Sequence, residues 1–316
     1  MSNDTTMRAT GQDRLGGPEV LHTIEVPRPE ARPNEILVRV LAAGVNPTDW
    51  KHRATGGFLG EPPFTLGWDV SGIVESVGVG VARLAVGDEV IGMLSYPFGH
   101  GSHAEYVAAP ARWFVRKPAG IDHVQAAALP LVSLTAWQAL VENADVQPGQ
   151  TVLVHAAAGG VGHVAVQIAK ARGARVIGTA SAEKHDFLRS IGVDETIDYR
   201  AVDFSDVVSD VDVVLDTLGG DTSLASLRVL RRGGIVVSIV PMGSEELFVE
   251  AERLGVHAKR MLVDTSHAHL EEIVRLVEEG SLAATIAQVF PLDEAAEAHR
   301  AGETGRTTGK LVLRMD

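Results

Sequence analysis

The sequence of 316 residues has no cysteine and few aromatic residues. Without cysteine, the chain has no disulfide, no thiolate zinc site, no iron–sulfur cluster and no cysteine nucleophile. Phe, Trp and Tyr supply 5% of the residues, whereas hydrophobic residues together supply 45%. We therefore expect a core built mainly from Val, Ala, Leu and Ile, and a chemistry that uses groups other than thiols.

Basic residues are also scarce. Lys and Arg number 28 and Asp and Glu number 41, which gives a formal net charge of −13. A field of this sign repels nucleic acids and anionic lipid surfaces. No apolar run approaches the roughly 18 residues of a membrane helix, and residues 1–21 lack the apolar stretch of a signal peptide. We expect a cytoplasmic protein with neither nucleic acid nor membrane as a partner.

The pattern of predicted secondary structure changes near residue 125. Between residues 35 and 116, short β-branched segments separated by turns predict an antiparallel β-barrel or sandwich. Beyond residue 118, strands alternate with helices, which is typical of a parallel sheet built from βαβ units. We predict a substrate domain over 1–125, a nucleotide-binding domain over 126–265, and a tail over 266–316 that returns to the first domain.

The second domain is predicted to be a doubly wound sheet of six strands. The predicted strands are 151–156, 175–180, 195–199, 211–216, 235–240 and 258–263, and the predicted helices are 161–172, 182–190, 222–231 and 245–254. These helices are followed by Gly173, Gly192, Gly233 and Gly255, where a left-handed C-cap is expected. The tail is predicted to supply helices 270–279 and 293–301 and strands 286–290 and 310–314.

A turn rich in small residues follows the first strand of this domain and opens its first helix, as a dinucleotide fingerprint requires. Its candidate cofactor-binding residues are Ala158, Gly159, Gly160, Val161 and Gly162. Gly159 and Gly160 allow the backbone to approach a pyrophosphate, and Gly162 allows the helix to pack closely on the sheet. A glycine-rich turn without a ligand is the alternative, and the strand and helix on either side disfavour it.

The choice between the two nicotinamide cofactors depends on the end of the next strand, where an NAD site places a carboxylate. The corresponding position is Ser181, and Lys184, Tyr199 and Arg200 lie close by in the predicted fold. Because these groups donate hydrogen bonds to a 2′-phosphate, we predict NADPH. Ser181 is equally suited to be a helix N-cap, Lys184 to a solvated face and Tyr199 to a strand end.

Segments along nearly the whole chain carry a family resemblance. They are residues 16–21 (GGPEVL), 43–49 (AGVNPTD), 67–74 (GWDVSGIV), 128–131 (ALPL), 135–137 (TAW), 154–162 (VHAAAGGVG) and 309–313 (GKLVL). This joint pattern resembles the zinc-independent quinone oxidoreductase (zeta-crystallin-like) branch of the medium-chain dehydrogenase/reductase superfamily. The resemblance implies an α/β protein with a GroES-like β-barrel substrate domain, a Rossmann domain and an active site in the cleft between them.

The resemblance also bears on metals. Zinc-dependent relatives carry a Cys in the loop that here reads 44–49, and His-Glu where this chain has Trp68 and Asp69. Both ligand positions are replaced, so we predict no metal. The loop pair His100 and His103 lacks a third ligand nearby in the sequence and is expected to form ordinary hydrogen bonds.

A zinc-free reductase suits an acceptor that takes hydride readily, such as a quinone or another activated enone. By resemblance, the candidate catalytic residues are Asn46 and Asp49. Asn46 would donate to the acceptor oxygen, although stabilising the turn before Pro47 is an equal alternative. Asp49 would position the loop or interact near the nicotinamide ribose, and capping the next turn is an equal alternative. The predicted pocket residues are Trp50, Lys51, Phe58, Trp68, Tyr96 and Phe98, of which we expect only some to line the pocket. Thr135, Ile239 and Arg306 are further cofactor candidates.

Two alternatives stay open. One is an enoyl-thioester reductase of polyketide or fatty-acid type, disfavoured because residues 219–224 lack the lysine that such domains tend to carry. The other is an NADPH-binding sensor or structural protein without turnover. For assembly, an exposed sheet edge from Arg260 to Asp264 predicts a homodimer paired across a two-fold axis.

Overall fold

The computed structural model describes residues 5–240 and 245–315. The chain separates into two compact units. Unit 1 runs up to Leu131 and resumes at Asp264, and unit 2 is Val132–Val263. Sequence analysis placed these borders after residues 125 and 265. Unit 2 is continuous in sequence, whereas unit 1 is built from both ends of the chain.

The first part of unit 1 is mainly β-structure. Its strands are β1 (Thr6–Gln12), β2 (His22–Pro27), β3 (Glu35–Val45), β4 (Phe64–Thr65), β5 (Asp69–Val77), β6 (Glu89–Met93), β7 (Tyr106–Pro110) and β8 (Phe114–Arg116). Its helices are α1 (Pro47–Thr55) and α2 (His123–Ala127), and α3 (Pro130–Trp137) leads into unit 2. The long β3 is largely buried because β-branched and aliphatic residues fill most of it.

Unit 2 alternates strands and helices. Its elements are β9 (Thr151–Val154), α4 (Gly160–Ala171), β10 (Arg175–Ala180), α5 (His185–Ser190), β11 (Glu195–Asp198), α6 (Phe204–Val207), β12 (Val211–Asp216), α7 (Gly220–Val229), β13 (Leu230–Ser238), α8 (Glu246–Leu254) and β14 (His257–Arg260). The strand order β11-β10-β9-β12-β13-β14 is parallel throughout. This is the order of a doubly wound dinucleotide-binding sheet, and it confirms the predicted fold class.

The tail completes unit 1. It contains α9 (His267–Glu278), β15 (Ile286–Pro291), α10 (Ala295–Glu303) and β16 (Lys310–Arg314). The order β15-β16-β3-β5-β6-β8, with β7 also paired to β3, forms a seven-stranded sheet, and β2-β1-β4 forms a smaller one. Because β16 pairs with β3, Leu311 lies beside Val45 although most of the chain separates them in sequence.

Several predicted boundaries in unit 2 differ from the structure, and two of the differences are informative. Helix α7 ends at Val229, and Gly233 lies inside β13 with φ of 75° instead of capping the helix. The reason is an irregularity in the β12–β13 pairing, whose register shifts between Val211 and Val213. Strand β14 stops at Arg260, so the predicted strand 258–263 is too long at its end. Gly173, Gly192 and Gly255 do have the predicted positive φ.

Candidate functional site

The small-residue turn of unit 2 joins β9 to α4. Ala156 has φ of 47°, an uncommon value for a residue with a side chain. At Gly162, a Cβ atom would lie 2.3 Å from the Ala156 carbonyl oxygen. Gly162 therefore permits the close approach of helix and turn that the sequence predicts for it. At Gly159 the corresponding distance is 3.2 Å, so that position tolerates a methyl group better.

The start of α4 fits a dinucleotide. Gly159 is the N-cap residue and offers no side chain to the first amides of the helix. Helix α4 begins at the carboxyl end of β9, the central strand at which the strand order reverses. Free amides at a helix N-terminus attract an anion such as pyrophosphate. The turn from Ala158 to Gly162 would therefore hold the pyrophosphate of a nicotinamide dinucleotide.

Buried neutral groups stabilise this turn by hydrogen bonds. His155 is buried, and its Nε2 lies 2.9 Å from Ser226 Oγ. Because Ser226 Oγ donates to the Thr222 carbonyl, it accepts from His155, so Nε2 carries the proton. His155 Nδ1 then accepts from Thr179 Oγ1 at 3.2 Å, and Thr179 Oγ1 accepts the Ala156 N–H at 3.2 Å. Burial lowers the pKa of His155 to about 4, which keeps the ring neutral.

The ends of β10 and β11 carry the predicted cofactor-selecting residues. Ser181 is buried, Lys184 is half-buried, and Tyr199 is 58% exposed. Arg200 lies over the Tyr199 ring at 5.6 Å and approaches Glu183 Oε1 at 3.3 Å. Glu183 is held by Ser181, whose hydrogen bond lowers the pKa of that carboxyl below its usual range. The structure thus places two cations and one carboxylate together at this end of the sheet.

The other three cofactor candidates lie in different places. Thr135 is buried in α3, and Ile239 follows the end of β13 with its N–H donating to the Asp216 carbonyl at 3.0 Å. Arg306 lies between α10 and β16 in unit 1 and is exposed. Their contact with a cofactor stays a prediction.

In unit 1, the loop between β3 and α1 is fixed by a reciprocal cap. The Asn46 side chain accepts the Asp49 N–H, and Asp49 Oδ2 accepts the Asn46 N–H at 2.6 Å. Asp49 Oδ1 also accepts the Gly67 N–H at 3.0 Å, which ties this loop to the start of β5. The structure therefore gives both residues the turn-stabilising roles that the sequence allowed. Asn46 is 0% exposed, and its donation to an acceptor stays a prediction.

Asn46 and Asp49 belong to a buried network with two residues that the sequence analysis missed, Asp69 and Lys310. Asp69 Oδ2 accepts from Asn46 Nδ2 at 2.8 Å, and its Oδ1 accepts the Leu131 N–H at 2.6 Å. Lys310 Nζ donates to the Val45 carbonyl at 3.0 Å and to Asn46 Oδ1, and lies 3.6 Å from Asp69. Two carboxyls thus share one ammonium away from water.

Charge is unevenly compensated in this network. Burial raises the pKa of Asp49 to about 8, against the opposing effects of the Asn46 N–H and of Lys310. Asp49 therefore binds a proton more readily than an exposed carboxyl does. Burial also lowers the pKa of Lys310, and the two nearby carboxyls counteract that shift. The signal for both missed residues was a charge inside an apolar segment, Asp69 before Val70 and Lys310 before Leu311.

The predicted pocket residues separate into two groups. Trp68, Tyr96 and Phe58 gather around His52, with ring centroids 5.2 Å apart for Trp68 and Tyr96 and 6.3 Å for Phe58 and Tyr96. Trp68 is buried, Tyr96 is half-buried, and Phe58 is 49% exposed. We call these four residues the aromatic cluster. It presents a partly exposed aromatic surface with one hydroxyl.

The other three predicted pocket residues lie apart from this cluster. Trp50 packs against Gly302 of α10, where a Cβ atom would meet the Trp50 ring at 2.5 Å. Lys51 is exposed, and Phe98 is 75% exposed. Trp50 thus lies apart from the aromatic cluster because its side chain faces α10. Which of the six residues line a substrate pocket stays a prediction.

The histidines in the loop after β6 form ordinary hydrogen bonds. His100 Nδ1 lies 2.7 Å from the Thr65 carbonyl, and His103 Nε2 lies 3.4 Å from the Gly44 carbonyl. Within residues 5–240 and 245–315, no three side chains of His, Asp or Glu are grouped to hold a metal ion. In the same ranges, none of the helices combines the length and the hydropathy needed to cross a bilayer.

Comparison with known proteins gives this arrangement a family. The family model described as "Alcohol dehydrogenase GroES-like domain" matches residues 32–119, and that described as "Zinc-binding dehydrogenase" matches residues 191–313. A 2-haloacrylate reductase of Burkholderia sp is 35% identical over 95% of this chain and 96% of its own length. A polyketide synthase of Streptomyces halstedii is 41% identical over 79% of this chain. The matched segment is 5% of the length of that synthase.

Solved structures agree with these matches. The quinone oxidoreductase from Coxiella burnetii has a TM-score of 0.94 and 37% identity, covering 98% of this chain and 100% of that one. The Escherichia coli quinone oxidoreductase complexed with NADPH has a TM-score of 0.89 and 31% identity, covering 97% and 99%. The fold and the dinucleotide turn define an NAD(P)-dependent oxidoreductase. Within that class, the chain belongs to the zinc-independent quinone oxidoreductase branch of the medium-chain dehydrogenase/reductase superfamily.

Proposed function

We propose that this enzyme uses NADPH to reduce a quinone or a similarly activated enone. The observation that carries the acceptor class is the aromatic cluster of unit 1. The half-buried Tyr96 ring stands edge to face with Phe58 at 87° and packs on the buried Trp68. A flat conjugated acceptor suits such a surface, because aromatic rings pair well in edge and offset arrangements. The Coxiella relative is a quinone oxidoreductase and the Burkholderia relative is a 2-haloacrylate reductase, which supports the same class.

The preference for NADPH rests on the cations at the ends of β10 and β11. Arg200 is paired with Glu183 at 3.3 Å, and both side chains are more than half exposed. An exposed pair of this kind is weak, so a 2′-phosphate can replace Glu183 as the partner of Arg200. Lys184, in the same turn, adds a second positive charge. The NADPH complex of the Escherichia coli relative supports this choice.

NADPH would supply the hydride, and the protein would supply position and charge stabilisation. The turn from Ala158 to Gly162 would hold the pyrophosphate with its amides. The network of Asn46, Asp49, Asp69 and Lys310 keeps the loop after β3 rigid, because each carboxyl has at least two donors. A rigid loop keeps nearby hydrogen-bond donors in a fixed position, from which they can stabilise the negative charge that develops on the acceptor oxygen.

Enoyl-thioester reduction is the second candidate. The identity with the Streptomyces polyketide synthase favours it, because the alternative left open by the sequence is an enoyl-thioester reductase of polyketide type. The first turn of α7 disfavours it, because this turn contains Asp221 and lacks the lysine expected in such reductases.

The first experiment is the initial rate of NADPH oxidation in the presence of a chelator. A small para-benzoquinone and a plain enoyl thioester serve as acceptors in separate assays, each repeated with NADH. We expect turnover of the quinone and a higher kcat/KM with NADPH. Turnover of the thioester alone would establish the rival. Tight NADPH binding without turnover of either acceptor would indicate a sensor or structural protein instead.

The proposed assembly is a homodimer through the edge of the unit 2 sheet. β14 ends the strand order of the described residues, and one of its edges has no partner strand there. The edge expected over Arg260 to Asp264 overlaps this strand only at Arg260, because β14 ends there. The exposed Val249 and Leu262 lie on α8 and just after β14. Pairing two β14 strands would hide both the backbone edge and these side chains. Sedimentation at micromolar concentration tests this, and a single 33.5 kDa species would exclude it.

A further inference from the structure

A chain of hydrogen bonds leads from the interior of unit 1 to the hydroxyl of Tyr96. His52 Nδ1 lies 2.7 Å from the Thr48 carbonyl oxygen. Because a carbonyl can only accept, His52 Nδ1 carries a proton and donates it. The same nitrogen lies 3.0 Å from Thr48 Oγ1, which accepts from it as well. The direction of the first link is therefore fixed by chemistry.

The next link runs from Thr48 to Tyr96. Thr48 Oγ1 donates to Tyr96 Oη at 3.0 Å. Since the Tyr96 oxygen accepts in this contact, its own hydrogen remains for another acceptor. Hydrogen bonds arranged head to tail polarise one another, so the last donor of the chain is strengthened. The last donor is the phenol of a half-buried residue on the aromatic cluster.

We propose that Tyr96 is a catalytic residue whose hydroxyl donates a hydrogen bond to the acceptor oxygen that becomes anionic during reduction. This inference rests on the proposed function, in which a hydride adds to a carbon of the quinone or enone. The π electrons then move to the conjugated oxygen, which becomes an enolate or phenolate and takes a proton from water. Tyr96 stabilises the negative oxygen before that proton arrives.

The environment of Tyr96 suits a donor that keeps its proton. Burial raises the pKa of its phenol, and the nearby Asp49 carboxyl acts in the same direction, while the Thr48 hydrogen bond opposes them. The rings facing it are neutral. Burial lowers the pKa of His52, and the side chains of Trp68 and Phe58 carry no charge. A neutral donor in a partly dry aromatic surface interacts strongly with a developing charge.

The decisive variant is Tyr96→Phe, which keeps the ring contacts and removes only the hydroxyl. We expect kcat for quinone reduction to fall about 100-fold, the usual effect of losing one oxyanion donor, with KM and NADPH affinity little changed. The loss should grow across substituted quinones as the product phenolate becomes more basic. Tyr106→Phe is the matched control, because it removes another phenol of unit 1 whose ring lies under Arg28.

A second variant tests the orientation of the donor. Thr48→Val removes the hydroxyl that donates to Tyr96, and we expect about a tenfold loss, smaller than that of Tyr96→Phe because the phenol is still present. The double variant Thr48→Val with Tyr96→Phe should be no slower than Tyr96→Phe alone. Rates of Tyr96→Phe within twofold of wild type on every quinone, or an equal loss in Tyr106→Phe, would overturn the proposal.

A binding assay separates this inference from the proposed function. 4-Nitrophenolate mimics a product oxyanion, and its absorbance reports hydrogen bonding without any turnover. We expect it to bind wild type about tenfold more tightly than Tyr96→Phe. If wild type reduces no quinone or enone, the proposed function fails, and this assay alone then decides the donor role. Equal affinity of both proteins for 4-nitrophenolate would count against Tyr96.

Discussion

The two units stabilise their functional loops by different means. In unit 2, a turn of small residues leaves backbone amides exposed, and the neutral groups of His155, Thr179 and Ser226 support it. In unit 1, a loop is fixed by ionisable groups away from water, with the Lys310 ammonium beside the Asp69 carboxyl. A backbone turn depends on the size of a few neighbouring residues. A charge network depends on groups that come from distant parts of the chain.

Lys310→Met should have the largest effect. Removing one member of a buried ion pair costs about 3 to 5 kcal/mol, because the remaining charge has no partner. Here Asp69 and the Asn46 carboxamide would lose their cation. Denaturant unfolding measures the loss. Lys117→Met is the control, since its nearly buried side chain also donates to a carbonyl, that of Ile121, but its carboxylate partner Glu89 is half-exposed.

A similar loss of unfolding free energy in both lysine variants would show that the buried network stabilises the fold no more than the half-buried Lys117–Glu89 pair does. The two units would then differ in the geometry of their loops but not in how strongly charge stabilises them. A larger loss in Lys310→Met, with unit 2 still folded by its NADPH binding, would place the effect in unit 1.

Gly162→Ala should have the next largest effect. Its Cβ would lie 2.3 Å from the Ala156 oxygen, so the turn must shift, at about 1 to 3 kcal/mol. NADPH affinity should fall by about tenfold or more, measured by calorimetry. Gly159→Ala, where the same distance is 3.2 Å and φ is −79°, is the matched variant with a smaller expected loss. Equal losses at the two glycines would contradict the close-packing role of Gly162.

The pH dependence of stability should reveal His155. Its pKa is about 4 in the folded protein and near 6.5 when unfolded, so only the unfolded chain binds this proton between those values. Stability is therefore lost as pH falls from 6.5 toward 4, at about 1.4 kcal/mol per pH unit for this group. His155→Gln should flatten that part of the unfolding curve. An unchanged slope would mean that the ring is already charged in the fold.

Asp49 has the opposite sign and allows the units to be compared. Its pKa is raised to about 8, so its contribution to stability is present below pH 3.8 and is lost as pH rises toward 8. Asp49→Asn should thus reduce the decline in stability between pH 3.8 and about 8. His103 in unit 1 shares the acid trend of His155, because burial lowers its pKa to about 4.

Lys184→Ala should give the smallest effect, a severalfold fall in kcat/KM with NADPH and almost none with NADH. The side chain is half-buried on the surface of unit 2, where one charged contact contributes about 1 kcal/mol. Initial rates with both cofactors measure it. An equal fall in kcat/KM with NADH would show that Lys184 does not bind the 2′-phosphate. Arg200 would then be the remaining candidate for that contact.

The sequence was sufficient for the parts whose cause is local. The turn from Ala158 to Gly162 follows from residues that are adjacent, and strands 175–180, 211–216 and 310–314 were predicted to the residue. The β13 irregularity escaped because it depends on pairing with β12. Lys310, Asp69 and the contact of Thr48 with Tyr96 escaped because they join separate elements. The packing of Trp50 on α10 escaped as well, because nothing local tells which way α1 faces.

The pairing of β16 with β3 also has a consequence for the order of synthesis. Unit 2 is one continuous segment and can fold once residue 263 has left the ribosome, whereas unit 1 lacks a central strand until residues 310–314 follow. Until then, Asp69 and Asn46 have no ammonium beside them. The half of the enzyme that begins the chain is therefore the last to be finished, and a chain that stops short of Lys310 would carry a complete nucleotide-binding unit beside an unfinished one.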